Sequence, residues 1–255
     1  MKNLLNESLW QVALAKIVPA AAGIGFVAIA VNRFTPAAYG QFSLVFAAAN
    51  LLAVLAVGWI SQAILRFVSG DRSLRSALWR VILFSLFWSA FIALVAYYTS
   101  HWIGWPASLK EVDISSVLFA SLVVALAVQV SASAAATSLQ RFRAYRNTEF
   151  VRSAGLLGLA WLAAYLSNDS TGLISVYGLS TLVPCLLLSL YLHRVIPVAV
   201  PASKAPKLLV VLRKFFGFGW PITIWSGIQA SQAFMERSVL NDHMGALEFG
   251  HFISA

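Results

Sequence analysis

The segment FSLVFAAANLLAVLAVGWISQAIL, residues 42–65, has 24 residues and no charged side chain. At about 1.5 Å of rise per residue it forms a helix about 36 Å long, which exceeds the roughly 30 Å thickness of a hydrocarbon layer. A stretch this long and this apolar is typical of a transmembrane helix, whereas shorter apolar stretches form the core helices of soluble proteins. Residues 42–65 therefore predict a membrane protein.

The rest of the chain has the same character. Of its 255 residues, 60% are hydrophobic and 11% are charged, and the mean hydropathy is +0.81. Soluble domains contain about 25% charged residues, so a soluble globule is excluded. Further apolar segments lie at 9–31, 78–98, 117–137, 150–166 and 173–192, and a more polar one lies at 216–234. The prediction is an all-α polytopic membrane protein with seven spans in the sequence.

The basic residues indicate the orientation of these spans. If the spans alternate in direction, 14 Lys and Arg residues fall on the side of the N-terminus and two, Arg33 and Lys110, on the other. Cytoplasmic loops carry such an excess, so the N-terminus is expected in the cytoplasm. The net charge of +9 then reflects topology and anionic lipid headgroups, and not nucleic acid. Four of the residues interpreted as topology signals and headgroup contacts are Arg141, Arg143, Arg146 and Arg152.

The opposite side carries the residues expected where positive charge is scarce. Aromatic and acidic side chains are typical of an interface of this kind. They are Trp102, Trp105, Pro106, Glu111, Asp113 and Asp169.

A short pattern recurs after 210 residues. The sequence YGQF at 39–42 follows the first span, and FGHF at 249–252 follows the seventh. A proline, Pro19 or Pro221, lies near the start of each preceding span. Many transporters consist of two such repeats, so the complete protein is expected to have about 12–14 spans and more than about 400 residues. The expected units are a six-helix bundle at 1–200, a basic cytoplasmic linker at 201–214, and the start of a second, truncated bundle at 215–255.

Three parts of the chain carry a resemblance to a known family. They are FTPAAYGQFSL at 34–44 with QAILRF at 62–67, LQRFRAY at 139–145, and GWP at 219–221 with ERSVL at 236–240 and FG at 249–250. Together they resemble the N-terminal half, and the opening of the C-terminal half, of bacterial O-antigen and exopolysaccharide flippases. The superfamily also contains multidrug exporters and lipid II flippases. The chain departs from the family pattern at Glu236, where Asp is common, and at Phe249, where Tyr is usual.

The resemblance implies a transporter of the bacterial inner membrane. Its substrate would be a polyprenyl-pyrophosphate-linked oligosaccharide for lipopolysaccharide or exopolysaccharide biosynthesis. It would work by alternating access, without an ATP site, driven by an ion such as H⁺ or Na⁺ or by the membrane potential. The alternative is an ion-coupled multidrug exporter of the same superfamily. A cationic cavity favours the diphosphate lipid, and an acidic cavity favours cationic drugs.

Polar residues within the spans are the candidates for a substrate pathway. Small and polar residues recur at steps of three or four in the second, fourth and seventh spans, which places them on one face of each helix. These faces line a shared cavity, or the small residues allow close helix packing. Amide side chains need hydrogen-bond partners in hydrocarbon, which favours the cavity for Asn50, Gln62, Gln129 and Gln229.

Charged residues are stronger candidates, because a charge inside a membrane costs about 2.5–3.5 kcal/mol on insertion scales. Lys16 lies about 10 Å deep and either snorkels to the surface or binds the diphosphate. Arg66 is either a cavity cation or a topology anchor. Glu236, with the adjacent Arg237, is either an ion-coupling or gating group or an end-cap of the seventh helix.

Other residues are candidate hinges. Proline removes a helical hydrogen bond and glycine lowers the cost of bending, so Pro19, Gly23 and Pro221 are either bending points for alternating access or simple kinks.

An enzymatic function is not supported. The sequence has no GxxxxGK phosphate loop, no GxSxG elbow and no HExxH helix, and its four histidines are dispersed. With a single cysteine, Cys185, it offers no ligand set for a metal. No catalytic residue, metal or cofactor is predicted.

Overall fold

The computed structural model describes residues 2–103, 114–166, 169–195 and 206–254. Within these ranges the chain forms helices and short connections, with no β-strand. A π-helical turn, Ile64–Val68, directly continues the second helix. The all-α prediction is confirmed. The helices are α1 (Lys2–Arg33), α2 (Pro36–Ala63), α3 (Arg72–Ile103), α4 (Ser116–Ser138), α5 (Phe142–Leu166), α6 (Ser170–Val195) and α7 (Leu208–Ser254).

Among the described residues, six helical segments are long and apolar enough to cross a membrane. The predicted fifth span, 150–166, forms the second half of α5, which is not among the six. Residues 142–152 of α5 carry three arginines and a glutamate, so the helix as a whole is less apolar. A polytopic membrane protein is confirmed. The six segments are Leu9–Arg33, Pro36–Val68, Ser73–Ser100, Ser116–Ser138, Ser170–Val195 and Leu208–Gly245.

The start of two of these helices is encoded locally. The hydroxyl of Thr35 accepts a hydrogen bond from the backbone N–H of Ala38, and Pro36 occupies the first turn of α2. Ser115 accepts in the same way from the N–H of Leu118 at the start of α4. Each cap satisfies a backbone donor that has no partner within its helix.

A capping carboxylate, that of Asp71, stabilises the short connection between α2 and α3. Asp71 accepts hydrogen bonds from the backbone N–H and the hydroxyl of Ser73, at 2.9 and 2.6 Å. Its carboxylate also lies 3.9 Å from Nζ of Lys214 on α7. The Ser73 hydroxyl, with smaller contributions from backbone N–H groups and Lys214, holds the pKa of Asp71 below its ordinary value. The charged carboxylate therefore caps α3 at neutral pH.

Helix α5 lies beside α1 and has the direction expected of the fifth span. Two side-chain contacts show this direction. Nearer the N-termini of both helices, Nζ of Lys16 lies 5.9 Å from the ring centroid of Tyr145. Further along both helices, the guanidinium of Arg33 lies 4.7 Å from the ring of Trp161. The two helices are therefore parallel, as alternating spans require.

The most extensive contact between two helices joins α2 and α7, which run antiparallel. A Cβ atom added at Gly219 would overlap the backbone carbonyl of Trp59, and one at Gly250 would overlap that of Pro36. The two backbones can approach this closely only because these positions have no side chain. Small residues at such contacts are typical of helix packing within membranes.

Helix α7 is interrupted at Gly245, whose φ of 77° and ψ of 161° are not helical. Positive φ is accessible to glycine without the strain that a Cβ would cause. Gly245 lies 210 residues after Thr35, one of the two residues between α1 and α2. The helical break thus falls at equivalent positions of the two sequence copies. This agrees with the predicted repeat, which stays a prediction.

The structure differs from the predicted domain boundaries in one respect: residues 208–214, assigned to the linker, are helical and belong to α7. The rest of that linker up to residue 205 lies outside the described residues. So do several residues of the predicted loops, namely Trp105, Pro106, Lys110, Glu111 and Asp113.

Replacement of Gly219 tests the contact between α2 and α7. Gly219→Ala is expected to destabilise the protein by about 1–3 kcal/mol, because the new methyl group overlaps the Trp59 backbone. The matched control is Gly217→Ala, two residues away, where an added Cβ meets no atom within 4 Å. Thermal unfolding of the purified protein in detergent measures both. Equal unfolding temperatures for the two variants would contradict the close backbone contact.

Candidate functional site

The small residues of the predicted polar face of α2 are packing residues. Ser43 and Ala47 are buried. A Cβ at Gly58 would lie 3.0 Å from Oγ1 of Thr223, a residue of the predicted polar face of α7. The Thr223 hydroxyl donates to the carbonyl of Gly219 within its own helix. The two polar faces meet, and their small residues allow close helix contact.

The amide side chains lie in less enclosed positions. Asn50 and Gln229 are exposed, while Gln62 and Gln129 are partly buried. Asn50, Gln62 and Gln229 belong to the α2–α7 helix pair, whereas Gln129 lies on α4. The structure therefore brings three of the four predicted amides to one helix pair, and two of these are accessible.

Glu236 and Arg237 are adjacent in sequence but interact with different parts of the molecule. Nη1 of Arg237 donates to the backbone carbonyl of Ser43, at 3.2 Å, and so links α7 to α2. The exposed Glu236 accepts a hydrogen bond of 2.8 Å from Nε2 of Gln232 on its own helix. The helix continues beyond both residues to Gly245. The end-cap interpretation of Glu236 is therefore wrong.

Lys16 and Arg66 are both exposed. Lys16 lies on α1, which contacts α5 extensively and α2 only slightly, so it is not brought into the α2–α7 pair. Arg66 lies in the π-helical turn at the end of α2. Lys16 lies beside Tyr145 of α5, whereas Arg66 lies in the turn that follows α2, so the two cations belong to different parts of the bundle.

The candidate hinge residues lie within continuous helix. Pro19 lies inside α1 and Pro221 inside α7, and the break in α7 occurs at Gly245 instead. Gly23 is partly buried, and a Cβ there would meet no atom within 4 Å. Their role in bending stays a prediction.

A buried ion pair was not anticipated from the sequence. Nε of Arg152 lies 2.8 Å from Oε2 of Glu149, three residues earlier on α5. Their side chains are only 10% and 4% exposed. The interpretation of Arg152 as a lipid headgroup contact is therefore wrong, because its guanidinium faces the interior of the bundle and is paired there.

A sequence signal for this pair exists. Opposite charges three residues apart lie on one face of a helix, and α5 leads directly into the apolar segment 150–166. Because the predicted span begins at residue 150, directly after Glu149, the prediction placed both charges at the membrane boundary. The direction in which Arg152 points depends on the helices that cover it, and these are distant in sequence.

Helix α6 contributes further polar groups next to the pair. Tyr177 and Cys185 both interact electrostatically with Glu149 and Arg152. Tyr177 also packs edge-on against the rings of Phe26 and Phe46, at 5.9 and 4.8 Å between centroids. Aromatic rings of α1 and α2 thus lie around the polar groups.

Three buried hydroxyls lie on the helices around this pair. Ser131, Ser153 and Thr181, on α4, α5 and α6 respectively, have side-chain oxygens with no hydrogen-bond partner among the described residues. Thr181 is one helical turn from both Tyr177 and Cys185, and Ser153 follows Arg152. Buried hydroxyls of this kind are costly unless water, an ion or a ligand binds them. We call Glu149, Arg152 and Tyr177, together with the hydroxyls of Ser153 and Thr181 that lie next to them along α5 and α6, the polar centre.

A small cation at the Glu149 carboxylate would compete with Arg152 for it, and the hydroxyls would supply neutral oxygen ligands. The described residues contain no cluster of His, Cys, Asp and Glu suited to a transition metal. Comparisons with protein-family models, curated proteins and solved structures give no match to the chain.

Removal of one member of the buried pair tests its energetic role. Arg152→Met should destabilise the protein by about 3–5 kcal/mol, because Glu149 is left buried and uncompensated. The double variant Glu149→Gln/Arg152→Gln leaves no charge and should retain most of the stability. Thermal unfolding in detergent measures the effect, with Arg213→Met as a control at an exposed position of α7. An unfolding temperature of Arg152→Met equal to that of the control would show that the pair is not buried.

Proposed function

We propose that this protein is a bacterial inner-membrane transporter that moves a polyprenyl-pyrophosphate-linked oligosaccharide from the inner to the outer leaflet. The observation that carries the proposal is the Glu149–Arg152 pair inside an apolar helical bundle. Ionisable residues within membrane proteins are costly, and they mark transport pathways and ion-coupling sites.

The coupling role belongs to the polar centre. A carboxylate that exchanges a proton or Na⁺ would switch between pairing with Arg152 and releasing it. The unsatisfied hydroxyls of Ser153 and Thr181 provide contacts for an entering water or cation. Alternating access requires a local change in charge that shifts the equilibrium between two arrangements of the helices. This exchange would supply such a change.

The substrate class is supported by the distribution of charge. A diphosphate entering a membrane must exchange its hydration for cationic partners, and Lys and Arg supply these. Lys16 and Arg66 are exposed, and Arg66 is one of the 14 basic residues assigned to the side of the N-terminus. That excess favours an N-terminus in the cytoplasm and entry of an anionic lipid from the cytoplasmic leaflet. The family resemblance of residues 34–44 and 219–221 favours the same substrate.

Genetic replacement in the host bacterium tests this function. Deletion of the gene should abolish surface polysaccharide and cause lipid-linked oligosaccharide to accumulate inside the cell. The wild-type gene should restore the polysaccharide, and the double variant Glu149→Gln/Arg152→Gln should not, although it inserts normally. The matched control, Arg213→Gln/Glu248→Gln, removes one charge of each sign at exposed positions and should restore it.

Two results would contradict the proposal. Unchanged surface polysaccharide after deletion would exclude the lipid-linked oligosaccharide as the substrate. If the deletion instead increased sensitivity to cationic drugs, the multidrug exporter would be the correct function. Restoration by the double variant would remove the polar centre from the mechanism.

A further inference from the structure

A pocket of about 230 Å³ lies between α3 and α6, away from the polar centre. Its basic groups are Arg75, Arg80 and His193, Ser76 and Ser189 add two hydroxyls, and none of the described residues that line it is acidic. The rings of Trp79 and His193 are stacked at a centroid distance of 4.7 Å and form one wall. A cationic pocket of this composition suits a bound anion.

Arg75 and Arg80 are held in place by the backbone. Nε of Arg75 donates to the carbonyl of Val68 at 3.0 Å, and its Nη2 donates to that of Ser69. Nη2 of Arg80 donates to the carbonyl of Pro206 at 3.1 Å, which leaves the other donors of Arg80 available. Because neutral carbonyls fix the two guanidinium groups without cancelling their charge, the pocket keeps its positive potential.

Further along both helices the pocket lining is mainly apolar. Leu78, Ile82 and Leu192 line it there, together with Ser189, whose hydroxyl donates to the backbone carbonyl of Cys185. The two helices make few contacts with each other, and the pocket lies between them. The pocket therefore combines a cationic end, near the start of α3 and the end of α6, with a mainly apolar end further along both helices.

We propose that this pocket binds an anionic phospholipid, whose headgroup phosphate contacts Arg80 and Arg75 and whose acyl chains lie along Leu78, Ile82 and Leu192. Basic pockets between transmembrane helices at a cytoplasmic surface recognise anionic headgroups in this way. A volume of 230 Å³ accommodates a phosphate and glycerol but not an oligosaccharide, since pockets for larger ligands begin at about 300 Å³. The bound lipid fills the gap between α3 and α6. The site is independent of the proposed transport substrate.

Lipid titration followed by native mass spectrometry of the purified protein tests the proposal. Phosphatidylglycerol should bind more tightly than phosphatidylcholine of the same acyl chains. Arg80→Gln should weaken phosphatidylglycerol binding about fivefold, the equivalent of about 1 kcal/mol per basic residue, and leave phosphatidylcholine binding unchanged. Arg213→Gln, on the exposed surface of α7, is the matched control and should bind like the wild type.

A second measurement locates the lipid without altering any charge. Brominated phosphatidylglycerol should quench the tryptophan fluorescence of the wild-type protein, and Trp79→Phe should remove part of that quenching. Equal affinities for the two lipids, or equal quenching with and without Trp79, would overturn the proposal. Displacement of phosphatidylglycerol by a short-chain polyprenyl diphosphate at lower concentration would assign the pocket to the transport substrate instead.

Discussion

The close approach of the α2 and α7 backbones is the contact on which the rest of the bundle depends. Lipid chains are as apolar as the side chains they surround, so helices in a membrane are held together by packing and hydrogen bonds. Gly219 and Gly250 allow two backbones to touch, and Arg237 adds a hydrogen bond between the helices. Helix α2 also packs against α3, α4 and α6, so its position determines where the other helices can lie.

Within this bundle, the polar centre allows α5, which is partly charged and partly apolar, to occupy the interior. Helix α5 is not among the six segments that are apolar enough to cross a membrane, yet it lies parallel to α1 and is covered by α6. Pairing of Glu149 with Arg152 reduces the cost of burying these charges, although it does not remove it. A retained cost of this kind is expected where a charge must change state during function, and it connects the fold to the transport proposal.

The sequence predicted the helices well because their length and composition are local properties. The apolar segments mark where most of the helices run, whereas the caps at Thr35 and Ser115 were found only in the structure. The environment of individual side chains depends on distant helices and was predicted less well. The spacing of Ser43 and Gly58 identified one face of α2, but only the position of α7 shows that this face is mainly a packing surface. Arg152 resembles its neighbours in sequence and differs from them only in what covers it.

The proposed function is movement of an anionic lipid-linked oligosaccharide across the membrane, with the polar centre as a required part. Purified protein in liposomes that contain a fluorescent polyprenyl-pyrophosphate oligosaccharide tests this function, because a membrane-impermeant reductant bleaches only the outer leaflet. Wild-type protein is expected to make the inner-leaflet probe accessible to the reductant, and the Glu149→Gln/Arg152→Gln variant is not. Bleaching limited to the outer-leaflet fraction with the wild-type protein, under an imposed ion gradient of either H⁺ or Na⁺, would contradict the proposed function.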